Sequence, residues 1–150
     1  MIEVAAESVH SEDATELLRQ AVEELQRRYP FFAASEYTPA EADGAGAGFL
    51  IARINGQAVG CGALRPFEPG VAEIKRMFVQ EAFRRKGISK AMLQALEQHA
   101  RVLGYQRIVL ETGIRQPEAI TLYQTNGYEP IDNYGYQGED SLSVCFGKNL

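Results

Sequence analysis

Tryptophan is absent from this chain, and cysteine and histidine each occur only twice. Because Cys61 and Cys145 lie far apart and in no metal-ligand spacing, the sequence excludes a disulfide framework and predicts two reduced thiols, with Cys61 a small buried hydrophobe. The first ten residues, MIEVAAESVH, lack the charged start and apolar run of a signal peptide, and no stretch approaches the ~18 apolar residues of a membrane span. We therefore expect a cytoplasmic protein without a metal site and without membrane contact.

An excess of positive charge is also missing. The 15 lysine and arginine residues are outnumbered by 20 aspartate and glutamate residues, which gives a net charge of −5. A general nucleic-acid-binding domain is expected to be basic, so no nucleic-acid partner is predicted and any basic site must be local. The 150 residues, 45% of them hydrophobic, suit one domain over 1–150. A domain of this length buries roughly 68–70% of the surface that its unfolded chain exposes.

Hydrophobic spacing predicts three helices among a series of strands. The helices are expected from Ser11 to the sequence RRYP, over 88–103, and from Pro117 to Asn126. Strands are expected at the chain start, on both sides of the hairpin signal Asn55-Gly56, over 71–79, over 107–112 and in LSVCFG, with a strand or loop at YGYQG. This order predicts an α/β fold with a mixed, largely antiparallel sheet flanked by helices. Strand 71–79, helix 88–103 and strand 107–112 form a central βαβ unit.

The stretch FRRKGISKAM, residues 83–92, places a basic, glycine-containing turn between strand 71–79 and helix 88–103. Such a turn presents backbone N–H groups and the positive end of the helix dipole together, an arrangement that binds phosphates. The spacing fits neither the GxGxxG nor the GxxxxGK[ST] phosphate loop. The turn instead has the pattern Arg84-x-x-Gly87-x-Ser89. Taken alone, this pattern fits a solvated helix entrance as well as it fits a phosphate-binding turn.

A second motif gives the turn its context. AITLYQTNGY, residues 119–128, follows the pattern A-x-x-L-Y-x-x-x-G-[FY], and with the turn it makes residues 49–130 resemble the GCN5-related N-acetyltransferase (GNAT) superfamily. The resemblance implies the GNAT fold, a βαβ unit that binds acyl-CoA, and acetyl-CoA as co-substrate. Two positions depart from the family pattern: Ser89 stands where Gly or Ala is usual, and Gln116 where many members carry Asn. The cofactor contacts implied by the resemblance are Met77, Phe78, Val79, Arg84, Arg85, Lys86, Gly87, Ile88, Ser89, Lys90, Gln116 and Tyr123.

The resemblance further implies direct transfer of an acetyl group to a primary amine. Tyr123 is the implied general acid for the departing thiolate, and the backbone N–H of Met77 is the first candidate to stabilise the oxyanion. Glu73 stands where the histone-acetylating branch carries its general base. It lies four residues before Met77, about 13 Å along a strand, so a water relay is expected. The alternatives are a packing aromatic for Tyr123 and, for Glu73, a carboxylate paired with a neighbouring cation.

The sequence leaves the acceptor open. Tyr128, Tyr134, Tyr136, Glu139 and Asp140 suit a small amine or a peptide end, or they only pack the last strands; Arg65, Lys75 and Arg76 suit an acidic substrate group or are surface charge. The leading prediction is an N-acetyltransferase for a small-molecule amine. The alternatives are acetylation of a protein lysine or N-terminus, and a non-catalytic acyl-CoA-binding sensor or interaction module. The superfamily often forms dimers, so a homodimer is compatible with the chain.

Overall fold

Three helices and seven strands occupy the part of the chain that the structure, a computed structural model, describes: residues 1–30, 37–134 and 142–150. The helices are α1 (Glu12–Arg28), α2 (Ile88–Val102) and α3 (Pro117–Thr125). The strands are β1 (Ile2–Ala6), β2 (Gly48–Ile54), β3 (Gln57–Glu68), β4 (Val71–Val79), β5 (Arg107–Gly113), β6 (Glu129–Ile131) and β7 (Ser143–Asn149). Short 3₁₀ turns cover Pro39–Ala42 and Glu81–Phe83.

The strands form one mixed sheet in the order β1-β2-β3-β4-β5-β7-β6. β4 and β5 are parallel, and every other neighbouring pair in this order is antiparallel. The chain returns from β4 to β5 through α2, because parallel neighbours need a long crossover connection. The predicted fold, a largely antiparallel sheet with a central βαβ unit, is confirmed.

Helices cover both faces of the sheet, and the buried residues form an apolar cluster on each side. α1 contributes Leu17 to one cluster, and α2 contributes Leu96 to the other. Successive residues of β2 alternate between the clusters, with Phe49 joining Leu17 and Leu50 joining Leu96. A strand buried on both faces has few polar positions, which explains the nearly continuous apolar run in GFLIARI.

Local signals in the sequence fix several element ends. Ser11 caps α1, and its hydroxyl accepts a hydrogen bond from the Ala14 N–H at 3.1 Å. Asn55 and Gly56 have φ of 50° and 84° and join β2 to β3, as the hairpin signal predicts. The short strand β6 lies upstream of YGYQG, of which only Tyr134 is among the described residues. In the described ranges, no helix has the length and apolar character needed to cross a bilayer.

A bulge in β4 separates the two parallel strands. Between Cys61 and Ala63 the register of β3 against β4 shifts, which inserts an extra β4 residue. Arg76 lies in this irregular stretch with a φ of 53°, in the left-handed region. Bulges of this kind bend a strand and increase its twist. Because β4 pairs with β5 only over residues 71–74, the strands are no longer paired beyond the bulge, and a cleft lies between their carboxyl ends.

Candidate active site

The cleft between β4 and β5 has a volume of about 550 Å³, within the ~300–1,000 Å³ typical of small-molecule sites. Of the cofactor contacts expected on β4, Met77 and Phe78 line it. The Val79 side chain is instead buried in the core, and Val79 does not line the cleft. The wall also includes Glu24 of α1, Tyr29 directly after it, Lys75 and Arg76 of β4, Glu111 and Gly113 of β5, and Gln116 and Tyr123 around α3.

The turn from β4 to α2 leaves its backbone donors unused. Gly87 is the N-cap residue of α2 with a φ of 81°, a conformation in which glycine avoids the Cβ penalty. The N–H groups of residues 85–90 donate to no backbone acceptor in the described part of the chain, whereas the Ala91 N–H donates to the Gly87 carbonyl at 3.1 Å. A helix N-terminus with several unused N–H groups suits a phosphate group. The turn therefore has the donors that the predicted diphosphate contact at Ser89 requires.

The side chains of this turn divide between solvent and structure. Arg85, Lys86 and Lys90 are exposed, Ser89 is half-buried, and the Ile88 side chain belongs to the core. Arg84 is held inward: its Nε donates to the Val79 carbonyl at 2.8 Å, and its Nη2 pairs with Glu24 at 2.7 Å. Arg84 thus fixes the turn against α1, and only the later cations of the run face solvent.

Tyr123 presents its phenol to the cleft. The side chain is 5% exposed, and its ring packs against Tyr128 and Phe146 at centroid distances of 5.6 and 6.1 Å. No hydrogen bond joins its hydroxyl to another described residue, so the donor is available to a ligand. Burial raises the pKa of the Tyr123 phenol above its ordinary value, which keeps the group protonated at neutral pH. The ring is therefore a packing element, and the hydroxyl is a donor in the cleft wall.

The end of α1 is fastened to the loop between β5 and α3. Tyr29 Oη accepts a hydrogen bond from the Arg115 N–H at 3.0 Å and lies 3.5 Å from Gln116 Oε1. Arg28 and Arg115 donate to each other's carbonyl oxygens at 2.9 and 2.7 Å. Gly113 permits this approach, because a Cβ there would overlap the Tyr29 hydroxyl. We call Arg28, Tyr29, Gly113 and Arg115 the α1 clasp.

Glu73 lies outside the cleft wall. Its side chain is buried, and its two oxygens accept hydrogen bonds from Arg65 Nε at 2.7 Å and from the Tyr134 hydroxyl at 2.8 Å. Burial, together with the Glu73 charge, raises the pKa of the Tyr134 phenol, so this hydroxyl remains the donor. The ion pair with Arg65 is the alternative role that the sequence left open for Glu73. The role of Glu73 as a water-relayed general base stays a prediction.

A different carboxylate, which sequence reasoning missed, lines the cleft. Glu111 is near the carboxyl end of β5, and its buried Oε2 has no hydrogen-bond partner among the residues that the structure describes. Native structures rarely leave a buried carboxylate oxygen without a partner, so this oxygen is a candidate contact for a ligand. The available signal was a lone charged residue at the end of the apolar run RIVLET, since ligands of α/β sheets bind outside the carboxyl ends of strands.

The structure places the residues expected to contact the acceptor in different environments. Tyr128 is buried away from the cleft wall and donates to Glu97 Oε2 at 2.8 Å, which is the packing alternative. Tyr136, Glu139 and Asp140 lie outside the described residues. Cys61 is fully buried, and burial raises the pKa of its thiol to about 12, which confirms the expected inert hydrophobe.

Comparisons with known proteins agree with this geometry. The model of the acetyltransferase (GNAT) family matches residues 13–128, more than half of the chain. An IAA acetyltransferase of Azospirillum brasilense is 41% identical over 103 residues, which are 68% of this chain and 67% of that protein. The chain spans 39 to 62% of the length of several other curated relatives.

Solved structures show the same architecture over the whole chain. A protein of Klebsiella pneumoniae described as an acyl-CoA N-acyltransferase has a TM-score of 0.81 and 30% identity, covering 100% of this chain and 98% of its own. A GNAT family acetyltransferase of Elizabethkingia anophelis, with acetyl-CoA bound, has a TM-score of 0.71 and 22% identity, covering 99% and 98%. With the cleft, the turn and the family match in agreement, this chain belongs to the acetyltransferase (GNAT) family and is an acyltransferase enzyme.

Proposed function

We propose that this protein is an acetyl-CoA-dependent N-acetyltransferase that moves the acetyl group directly to the primary amine of a small molecule. One observation carries the proposal: the ends of β4 and β5, which do not pair with each other, enclose a cleft with a hydroxyl donor and a carboxylate in its wall, and the turn with the unused N–H groups is joined to this wall by the ion pair of Arg84 with Glu24. When bound, acetyl-CoA supplies the activated acetyl group as a thioester.

The chain's own groups fit such a co-substrate. The N–H groups of residues 85–90 offer a cradle for the diphosphate, and Met77 and Phe78 line the cleft where a pantetheine arm would lie. Gln116 is in the cleft wall directly before α3, where the N–H groups of its side-chain amide are available to the same arm. Arg84 acts in this scheme by holding the turn against α1.

Tyr123 is the proposed general acid. Its hydroxyl is protonated, lines the cleft and is not engaged by another described residue. A raised phenol pKa makes proton transfer to a thiolate less favourable, because the reference values are already ~10 for Tyr and ~8.5 for a thiol. The transfer therefore depends on a direct hydrogen bond between the phenol and the departing sulfur.

Two carboxylates compete for the role of general base. Glu73 is held in an ion pair with Arg65 and would accept the proton of the amine through a water relay. Glu111 has the more direct position, because it lines the cleft and its Oε2 lacks a hydrogen-bond partner. Glu111→Gln is expected to lower kcat/KM and alter its pH profile with little change in stability, whereas Glu73→Gln is expected to lower stability first. The opposite pattern would make Glu73 the base.

The cleft favours a small acceptor over a protein segment. Its volume of about 550 Å³ must hold both the acetyl arm and the acceptor, and the α1 clasp closes one side. A protein lysine or N-terminus would require a long open groove.

A thiol-release assay with acetyl-CoA and a panel of amines, amino acids, polyamines and peptides tests the proposal. We expect amine-dependent release of coenzyme A and an N-acetylated product by mass spectrometry. Tyr123→Phe should lose about 10²- to 10⁴-fold in kcat, the usual contribution of a general acid, while it still binds acetyl-CoA. Unchanged turnover in this variant would remove Tyr123 from the mechanism, and coenzyme A binding without turnover for any amine would favour the sensor.

A further inference from the structure

Lys75 is a buried cation without a partner in the wall of the cleft. It belongs to β4 next to Arg76, and it is 8% exposed. It forms no hydrogen bond or ion pair with any residue that the structure describes. Burying a charge without a partner is unfavourable, and buried lysines are rarely left so. An anionic group of a bound ligand would supply the missing partner.

The carboxylates near Lys75 are already engaged by another cation. Arg65 bridges Glu41 and Glu73, with N to O distances of 2.7 Å to each. The second oxygen of Glu41 accepts from a backbone N–H at 2.8 Å, and the second oxygen of Glu73 accepts from Tyr134 at 2.8 Å. The field of Lys75 reaches Glu41 but no ion pair forms. Both oxygens of Glu41 and of Glu73 are thus engaged by other described groups, so neither carboxylate competes with a ligand's acid group for Lys75.

The same cleft holds an unpartnered group of the opposite charge. Glu111 Oε2 on β5 is buried without a hydrogen bond, and Glu111 forms no ion pair with Lys75 or any other described residue. Arg76 also lines the cleft and adds to the positive charge on the β4 side. One wall is thus cationic and the other carries a carboxylate.

We propose that the acceptor is an amino carboxylate, with its carboxylate bound by Lys75 and its amine directed toward Glu111. This inference rests on the proposed function and narrows its substrate class from amines in general to amines that carry an acid group. Lys75 is here a specificity-determining residue that touches the acceptor, and it takes no part in proton transfer.

Matched acceptors test the proposal through acetylation rates. L-Leucine, L-leucinamide and 3-methylbutylamine share a side chain and differ only in the acid group. Wild type should have a kcat/KM for L-leucine about 10- to 100-fold above both neutral analogues, the worth of one charge-assisted hydrogen bond. The amine of L-leucinamide is less basic than the amine of 3-methylbutylamine. If protonation of the amine alone determined the rate, kcat/KM would therefore differ between these two analogues. L-Phenylalanine and 2-phenylethylamine repeat the comparison with a larger side chain.

Lys75→Met is the decisive variant, because it keeps the length of the side chain and removes the charge. It should abolish the preference for the acid, because kcat/KM for L-leucine should fall about 10- to 100-fold further than kcat/KM for 3-methylbutylamine. Lys75→Arg, which keeps the charge, should retain part of the preference. Two results would overturn the proposal while the acetyltransferase function stands. One is an equal loss of kcat/KM for L-leucine and 3-methylbutylamine in Lys75→Met, and the other is a wild-type enzyme without a preference for the acid.

A binding measurement separates this inference from turnover. 4-Methylpentanoate, which is leucine without its amine, should bind the coenzyme A complex of wild type and not that of Lys75→Met in isothermal titration. If no amine is acetylated but this lysine-dependent binding is present, the proposed function fails and the anion site stands. Equal binding to both proteins, or none to either, overturns the anion site.

Discussion

A methyl group added at residue 113 should disconnect α1 from the cleft. Gly113 is buried, and the hydroxyl and the adjoining ring carbon of Tyr29 occupy the space of its missing Cβ. The backbone of Gly113 is not in the left-handed region, so Gly113→Ala adds a clash without a backbone penalty. Tyr29 must therefore move, which breaks its hydrogen bond from the Arg115 N–H and its approach to Gln116.

The size of the effect follows from the mobility of the obstacle. Overpacking costs about 1–3 kcal/mol, and a lost hydrogen bond about 0.5–1.5 kcal/mol. Tyr29 is half-buried at the end of a helix and is able to swing toward solvent, which relieves part of the clash. We expect the free energy of unfolding to fall by about 1–2 kcal/mol, and Tm by roughly 2–8 °C for a chain of this length.

Thermal and guanidinium unfolding measure this change. Gly44→Ala is the matched control, since a Cβ there meets nothing within 4 Å, and its stability should equal that of wild type. In a Tyr29→Ala background the obstacle is gone, so Gly113→Ala should then have almost no effect. If Gly113→Ala costs as much in that background as in wild type, Tyr29 does not occupy this space and the α1 clasp is refuted.

Other substitutions separate structural from chemical roles. Glu73→Gln removes one charged partner of Arg65, so the free energy of unfolding should fall by about 2 kcal/mol, less than the ~3–5 of a fully buried pair; an unchanged guanidinium midpoint would count against the pair. Cys61, with a thiol pKa of about 12, should stay protonated at neutral pH and resist thiol reagents in the native protein, and labelling of Cys61 seen by mass spectrometry would contradict its burial. The Thr38 N–H and then Arg65 hold the pKa of Glu41 below its usual 4.5, so its stabilising effect is present above that value and lost as pH falls through the folded pKa. The stability gap between wild type and Glu41→Gln should therefore be wider at neutral pH than in acid below the folded pKa of Glu41, and a gap independent of pH would exclude the linkage.

The elements and the phosphate turn could be predicted because each depends on local chemistry. Ser11 satisfies the first N–H groups of α1, Asn55 and Gly56 adopt the positive φ that a tight hairpin requires, and Gly87 caps α2 in the same region. Those preferences belong to residues next to each other in sequence. The predicted ends of the three helices therefore differ from the observed ends by only a residue or so.

The cleft wall could not be predicted because it depends on contacts between distant segments. The bulge at Arg76 decides where β4 leaves β5, and no local signal marks it in EIKRMFV. Glu73 and Glu111 are both strand carboxylates by pattern, yet Arg65 and Tyr134 engage the first while the second faces the cleft. The choice between them required the sheet register and the position of partners that lie elsewhere in the chain.

Amide chemical-shift mapping with coenzyme A tests the central claim most directly, namely that the cofactor lies between β4 and β5 with its diphosphate on the turn before α2. Isotope-labelled protein is titrated with coenzyme A, and each backbone N–H is followed. The largest saturable shifts should come from residues 85–90, with Ser89 among them, and from Met77 to Val79. Saturable shifts confined to other surfaces, with the turn unmoved, would contradict the account.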